Sequence, residues 1–219
     1  MNRYHLTSII ILALFVVLAV LVSPLANANP DLVAKDTSAF LAVNNSHIDF
    51  LDKFMVWLTE YGREAFWGIT TILLFIFGGW SGRKAAIVLV LAFIVLIPVG
   101  FIAKEIVHRP HPTIPESDFL LSQDPTEYSY PSGHATIVSA GAAIALSLFR
   151  DSKRKVAISL ALAAETALVC ISRVYVGGHY PLDVVGGILL GVGVSFLFVG
   201  AIKQVEKITQ SIGKMLKRR

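Results

Sequence analysis

The feature that most constrains the fold is a series of apolar runs, each of about the length that a helix needs to cross a bilayer. Charged residues make up 16% of the chain and hydrophobic residues 55%, which is too apolar a composition for an ordinary soluble domain. We therefore predict one domain over residues 1–219, an all-α polytopic membrane bundle of about six transmembrane helices. The six runs are Leu6–Val22, Ala65–Trp80, Ala85–Ala103, Ala135–Phe149, Val156–Ile171 and Val184–Ile202.

Basic residues are unevenly distributed between the connections of this bundle. Of the 19 Lys and Arg, 13 fall in the two termini and in the connections at 81–84 and 150–155. Because cytoplasmic connections carry an excess of Lys and Arg, we expect a multi-pass protein of the cell membrane with both termini cytoplasmic. The same distribution argues against nucleic acid as the partner behind the net charge of +4.

The first apolar run has two interpretations. Arg3, a short apolar core and the stretch "LANA" also fit a cleavable signal peptide over residues 1–28. The run is long for a signal peptide, so we favour an uncleaved first transmembrane helix. Either way, residues 24–63 are expected on the extracytoplasmic side.

Segment 29–63 has an amphipathic pattern of its own. Aromatic residues recur at helical spacing opposite charged ones, at Phe50, Phe54, Trp57 and Tyr61. Such a helix lies on the bilayer surface or packs across the mouth of the bundle, and both arrangements place it near the outer surface.

Three polar segments are predicted to converge on the outer side. The first, "YPSGHA", opens the fourth run. Pro131, Ser132 and Gly133 indicate a helix start, whose free N–H groups and positive dipole end favour an anion. His134 follows in the first turn, placed for proton transfer near neutral pH. Taken alone, the segment is equally well explained as an ordinary helix cap.

The second segment, "SRVYVGGHYPLD", separates the fifth and sixth runs. Its glycines permit a sharp turn, and Pro181 can open the sixth helix. Asp183 then lies in the first turn, where it can orient His179 as a nucleophile or base. Arg173 supplies a forked cation suited to phosphate oxygens. Alone, the segment fits a topogenic arginine beside a satisfied His–Asp pair equally well.

The third segment, "KEIVHRPHP", follows the third run. Lys104 and Arg109 are cations at the membrane edge, where such side chains usually serve as anchors. Together, the three segments combine cations, a helix start, two histidines and one carboxylate. That combination is suited to phosphoryl transfer without a metal ion.

These motifs resemble the type 2 phosphatidic acid phosphatase superfamily of membrane lipid phosphatases. The resemblance rests on Ser172-Arg173 followed after five residues by His179 and after three more by Asp183, on 131–134, and on the lysine–proline segment. It covers residues 104–183, and the six-run layout extends it loosely to the whole chain.

The first motif departs from the family pattern, which usually has a lysine, six residues and then Arg-Pro. Six residues after Lys104 comes His111-Pro112, and Arg109-Pro110 lies two residues earlier. Either His111 occupies the phosphate-binding position or a register shift gives it to Arg109. Histidine there would be a weaker, pH-dependent clamp. We expect Arg109 to share the binding of the phosphate group.

The resemblance implies a metal-independent phosphatase without a cofactor. It implies that His179 attacks phosphorus to form a phosphohistidine, that Asp183 orients it, and that His134 protonates the leaving oxygen and then activates water. The expected partners are a membrane lipid phosphate or diphosphate and the bilayer, and the sequence predicts no oligomeric state. The implied phosphate-binding groups are Lys104, Arg109, His111, Ser132, Gly133 and Arg173.

An outward-facing pocket at the bilayer edge suits a lipid whose headgroup lies in the outer leaflet. Within the resembled family, a polyprenyl diphosphate of the undecaprenyl or dolichyl type is our first expectation. Phosphatidylglycerophosphate or phosphatidate is the alternative.

Two other interpretations stay open. In one, His179 and Asp183 with nearby histidines at 108, 111 and 134 bind a metal ion, although the neighbouring cations would repel it. In the other, the charges of a scaffold or transporter recognise a lipid headgroup without chemistry. Inside the runs, we interpret Glu165 as a neutral structural carboxyl, and Gly187 and Gly191 as close-packing sites.

Overall fold

The fold is entirely helical in the part of the chain that the structure, a computed structural model, describes: residues 3–113, 120 and 127–202. Those residues form eight α-helices and no strand, which confirms the predicted all-α class. The helices are α1 (Arg3–Val22), α2 (Pro30–Asn44), α3 (Asp49–Tyr61), α4 (Glu64–Phe77), α5 (Gly79–Val107), α6 (Gly133–Leu148), α7 (Lys153–Tyr175) and α8 (Pro181–Gly200).

The six predicted runs correspond to six apolar helices of unequal length. Among the described residues, α1, α5, α7 and α8 are long and apolar enough to cross a membrane, whereas α4 and α6 are shorter. Two boundaries differ from the prediction. The chain turns at Gly79, whose φ of +64° favours glycine, so residues 81–84 belong to α5 rather than to a connection. Helix α7 continues to Tyr175, which places Arg173 in its last turn.

Helices α6 and α8, which both begin beside the predicted site, pack closely against each other. A Cβ atom at Gly187 would overlap the Ser132 carbonyl and one at Gly191 the Thr136 carbonyl, so the predicted packing role of these glycines is confirmed. At the start of the pair, the Ser132 N–H donates to the Asp183 carbonyl at 3.0 Å. The N-termini of α6 and α8 are thereby fixed to each other.

The helix ends that carry the predicted site lie together at one end of the bundle. Helices α5 and α7 end there, α6 and α8 begin there, and α1 ends there too, because the Ser23 hydroxyl donates to the Val107 carbonyl at 2.8 Å. At the opposite end, His5 of α1 packs against Gly200 of α8. The site and the start of α1 therefore lie at opposite ends.

Helices α2 and α3 cover the site end of the bundle. Helix α3 packs Met55 and Leu58 toward the core, and its Thr59 hydroxyl lies 2.7 Å from that of Ser172 on α7. On its outer face, Phe50 is 84% exposed. Segment 29–63 thus forms two helices rather than one, and α3 both caps the bundle and leaves aromatic residues exposed.

The acidic residue inside the fifth predicted run is held within the bundle. The indole N–H of Trp67 on α4 donates to Glu165 on α7 at 3.2 Å. This contact supports the structural interpretation of Glu165.

Candidate active site

The N-terminus of α6 forms one wall of the candidate site. Ser132 is the N-cap residue, and its hydroxyl accepts a hydrogen bond from the Ala135 N–H at 3.4 Å. Gly133 is the first helical residue, and the peptide bond before Pro131 is cis. The predicted helix start is therefore present, with the N–H of Gly133 near the positive end of the helix dipole.

A tight turn after α7 positions His179. The Arg173 carbonyl accepts the N–H groups of Gly178 and His179, each at 3.1 Å. Gly177 has a φ of +87°, a conformation that a residue with a side chain would adopt only at a cost. The turn buries the imidazole of His179, which is 3% exposed.

Asp183 lies beside this imidazole. Its Oδ2 atom accepts the Tyr180 N–H at 2.9 Å and lies 3.6 Å from Nδ1 of His179. The last distance exceeds a hydrogen bond, and within the described residues Nδ1 of His179 has no hydrogen-bond partner. The carboxylate of Asp183 thus lies next to Nδ1 of His179, which is where an orienting carboxylate belongs. A shift of under an ångström would bring the two atoms within hydrogen-bond distance.

The environment of His179 keeps its imidazole neutral. Burial, reinforced by the positive charges of Arg173 and Lys104, holds the pKa of His179 well below its usual range. A neutral imidazole retains the lone pair that nucleophilic attack requires.

Arg173 is a buried cation without a carboxylate partner in the part of the chain that the structure describes. The side chain is 6% exposed, its Nη1 donates to the Thr59 hydroxyl at 3.5 Å, and its Nε is buried without a partner among those residues. An unpaired buried guanidinium is costly, and an anion would satisfy it. This cation is the strongest indication of an anion site.

His134, in the first turn of α6, contacts both α3 and the connection that follows α3. Its Nε2 is 3.1 Å from the Thr59 carbonyl, and its Nδ1 is 3.3 Å from Nη1 of Arg63. A carbonyl only accepts, so these partners assign the proton to Nε2 and make Nδ1 the acceptor for Arg63.

Arg109 does not point toward an anion site, which corrects our expectation that it shares the phosphate clamp. Its Nη1 donates to Asp183 and its Nη2 to Asp36, both at 2.6 Å, and its guanidinium lies 4.3 Å from the ring centre of Tyr180. Two buried carboxylates thus occupy its donors, because α5 ends at Val107 and the next residue turns into the left-handed region. Arg109 contacts the carboxylate of the His–Asp pair instead.

His111, the residue at the usual arginine position, lies against His179. The two ring centres are 5.1 Å apart, and Nδ1 of His111 donates to the Gly178 carbonyl at 2.7 Å. Burial lowers the pKa of His111, with the hydrogen bond to Gly178 opposing it. The side chain is therefore neutral at pH 7 when no anion is bound.

A groove of about 650 Å³ approaches the site from the apolar side of the bundle. Its polar end is formed by Arg63, Glu64, Lys104, Glu127 and Gly133, and the rest is lined mainly by apolar side chains of α4, α5 and α6. Lys104 pairs with Glu127 at 2.7 Å. Arg173 and His179 lie behind the polar end and do not line the groove itself.

Three residues of this arrangement were not found from the sequence: Asp36, Thr59 and Arg63. Arg63 is adjacent to no motif, and Asp36 meets Arg109 across 73 residues. A basic residue directly before an apolar run is a weak signal, since most such residues are membrane anchors.

The described residues contain no group of three or more His, Cys, Asp or Glu side chains arranged to hold a metal ion.

The fold and the site together define a polytopic membrane protein in which a buried arginine and two histidines lie near the polar end of a largely apolar groove. The chain belongs to the PAP2 superfamily, whose family model matches residues 83–207. It is 38% identical to an undecaprenyl-diphosphatase of Sulfolobus acidocaldarius, over 96% of this chain and 100% of the relative. It is 29% identical to undecaprenyl-diphosphatase BcrC of Bacillus subtilis, over 69% and 75% respectively.

The fold is also found in a crystal structure. This chain superposes on the crystal structure of a transmembrane PAP2 type phosphatidylglycerolphosphate phosphatase from Bacillus subtilis with a TM-score of 0.70. The match covers 90% of this chain and 96% of that chain, at 24% identity. This likeness confirms the membrane-embedded helical fold.

Proposed function

We propose that this PAP2 protein is a metal-independent lipid phosphatase that hydrolyses a polyprenyl diphosphate through a phosphohistidine intermediate. The observation that carries the proposal is the buried Arg173 beside the neutral His179, behind the polar end of a largely apolar groove. Among the described residues, Arg173 has no carboxylate partner. A scaffold that only recognised a headgroup would need the cation but not the histidines. The family and its undecaprenyl-diphosphatase relatives support hydrolysis of phosphoric ester or diphosphate bonds.

The groove supports a lipid substrate. Its polar end suits a phosphate headgroup, and its apolar length, which includes the exposed side chains of Val90, Ile97 and Phe101, suits a hydrocarbon tail that enters from the bilayer. A polyprenyl chain has no polar group beyond its phosphates, so it matches a groove with polar residues at one end.

The chemistry takes two steps. Nε2 of His179 attacks the terminal phosphorus and the P–O bond to the bridging oxygen breaks. His134, which enters this step in its imidazolium form, gives that oxygen a proton and becomes neutral. Water then attacks the phosphohistidine, the N–P bond breaks, and His134 takes the proton of the water. The products are a lipid monophosphate and inorganic phosphate, and both histidines return to their starting states.

The groups proposed to hold the transferred phosphoryl group come from all three polar segments of the site. They are Lys104, Arg173, the Ser132 hydroxyl and the Gly133 N–H, with His111 at the side. Arg109 acts through Asp183 as a positioning residue.

The charge distribution supports an extracytoplasmic site. Arg83, Lys84 and the basic residues of 150–155 lie at the end of the bundle opposite the site, as does the start of α1. Cytoplasmic basic residues would place both termini inside and the headgroup site at the outer leaflet. The Ser8 hydroxyl on α1 donates to the Gly193 carbonyl on α8 at 2.6 Å, which supports an uncleaved first helix.

A panel of purified lipids tests this function. Inorganic phosphate released by the purified protein, with EDTA present, is expected to give a kcat/KM for undecaprenyl diphosphate about tenfold or more above that for phosphatidylglycerophosphate or phosphatidate. Faster turnover of the glycerolipids would overturn the substrate assignment. Binding of every lipid without phosphate release would overturn the enzymatic assignment in favour of a scaffold.

His111 should make substrate binding depend on pH. A bound phosphate favours the imidazolium form, so the wild-type KM is expected to rise as pH increases from 6 to 8 and His111 loses its proton. His111→Arg keeps its charge and should remove this rise, whereas His111→Gln should show a high KM throughout. KM values measured from pH 5 to 9 check this, and identical profiles for all three proteins would exclude His111 from the clamp.

A further inference from the structure

Arg63 lies between the groove and His134. It immediately precedes α4 and lines the polar end of the groove, and its Nη1 lies 3.3 Å from Nδ1 of His134. Its Nη2 forms an ion pair with the exposed Glu64. Its Nε is buried without a hydrogen-bond partner among the described residues. The guanidinium therefore has unused donor capacity at this junction.

The position of Arg63 matches the leaving-group side of the proposed reaction. His179 attacks the terminal phosphorus from one side, and His134 protonates the leaving oxygen on the other. The leaving group then lies on the His134 side, where Arg63 is the adjacent cation and the groove begins. For a diphosphate substrate that leaving group is a phosphate joined to the lipid tail.

We propose that Arg63 binds the non-transferred phosphate of a diphosphate substrate and thereby makes the enzyme select diphosphates over monophosphates. The inference rests on the proposed function. An arginine fork matches two phosphate oxygens, and Lys104 lines the same polar end as a second cation. When the bridging P–O bond breaks, its electron pair moves to this phosphate, so Arg63 stabilises the charge that develops there while His134 supplies the proton.

The arrangement also explains how the site manages without an arginine at the usual position of the first motif. His111 is neutral there when no anion is bound, and Arg109 is engaged by Asp36 and Asp183. Arg63 supplies a guanidinium to the same pocket from a distant part of the chain.

The test compares farnesyl diphosphate with farnesyl monophosphate as matched probes. Arg63→Gln is expected to lower kcat/KM for the diphosphate by about 100-fold and for the monophosphate by less than about threefold, because only the diphosphate loses a charged contact. Arg63→Lys, which keeps the charge but not the fork, should fall between. Lys53→Gln is the control, since it removes a charge from the exposed outer face of α3 and should leave both substrates unaffected.

Inhibition by methylene diphosphonate and by inorganic phosphate gives a readout independent of turnover. Arg63→Gln should weaken the diphosphonate about tenfold and leave phosphate unchanged. Equal losses for both substrates and both inhibitors, or no loss for either, would overturn the role of Arg63. A wild-type enzyme that prefers glycerolipid phosphates to both farnesyl probes would instead overturn the proposed function, so the two failures are distinguishable.

Discussion

Replacing His179 by alanine is expected to reduce kcat by about 10⁴-fold or more. The side chain is proposed to form the covalent bond to phosphorus, and the loss of a nucleophile abolishes the two-step route. The remaining cations would still bind the phosphate, so the Kd of methylene diphosphonate should change little.

The measurement is phosphate release under saturating substrate, with thermal unfolding in detergent as the check on folding. His108→Asn is the matched control, because His108 packs against Tyr128 at 4.3 Å between ring centres and Asn tolerates its φ of +56°. That variant should stay within about threefold of wild type. Turnover by His179→Ala above a tenth of the wild-type rate would contradict the nucleophile assignment.

Replacing Arg109 by methionine should cost about 3–5 kcal/mol of unfolding free energy. The change leaves Asp36 and Asp183 buried without the guanidinium that bonds both at 2.6 Å. Turnover by the remaining folded protein should also fall, because Asp183 loses the guanidinium that holds it beside His179.

The stability loss should depend on pH in a defined direction. Burial raises the pKa of Asp36 even though Arg109 opposes the shift. A carboxyl whose pKa is higher folded than unfolded binds its proton more tightly in the folded state, so it destabilises the fold as pH rises. Without Arg109 this effect grows, and the melting temperature of Arg109→Met should fall further below wild type at pH 8 than at pH 5.

A second substitution separates this explanation from a simple packing defect. Asp36→Asn together with Arg109→Met leaves one buried carboxylate instead of two and should recover part of the lost stability. No recovery in the double variant, or a loss that does not change with pH, would contradict the ionic explanation.

The helices and motifs could be predicted because their signals are local. Apolar runs gave six helices, and the prolines at 131 and 181 correctly indicated where α6 and α8 begin, next to His134 and Asp183. The turn at Gly177 followed from the glycine pair before His179. Each of these features depends on residues a few positions apart.

The partners of the cations could not be predicted because they depend on tertiary contacts. Sequence spacing put Arg109 near the phosphate position, but it does not say which acceptor a long side chain will meet. The left-handed conformation of His108 directs Arg109 to Asp36 on α2, a contact between segments 73 residues apart. The contact between Arg63 and His134 likewise joins segments 71 residues apart, so sequence spacing could not predict it either.

Detection of the covalent intermediate tests the central claim most directly. The wild-type protein would be mixed with polyprenyl diphosphate labelled in its terminal phosphate, quenched in alkali within the first turnover, and digested for mass spectrometry. We predict a phosphoryl group on His179 that forms before inorganic phosphate appears and is absent from His179→Ala. Rapid turnover with no phosphorylated residue, or with the phosphoryl group on another side chain, would contradict this mechanism.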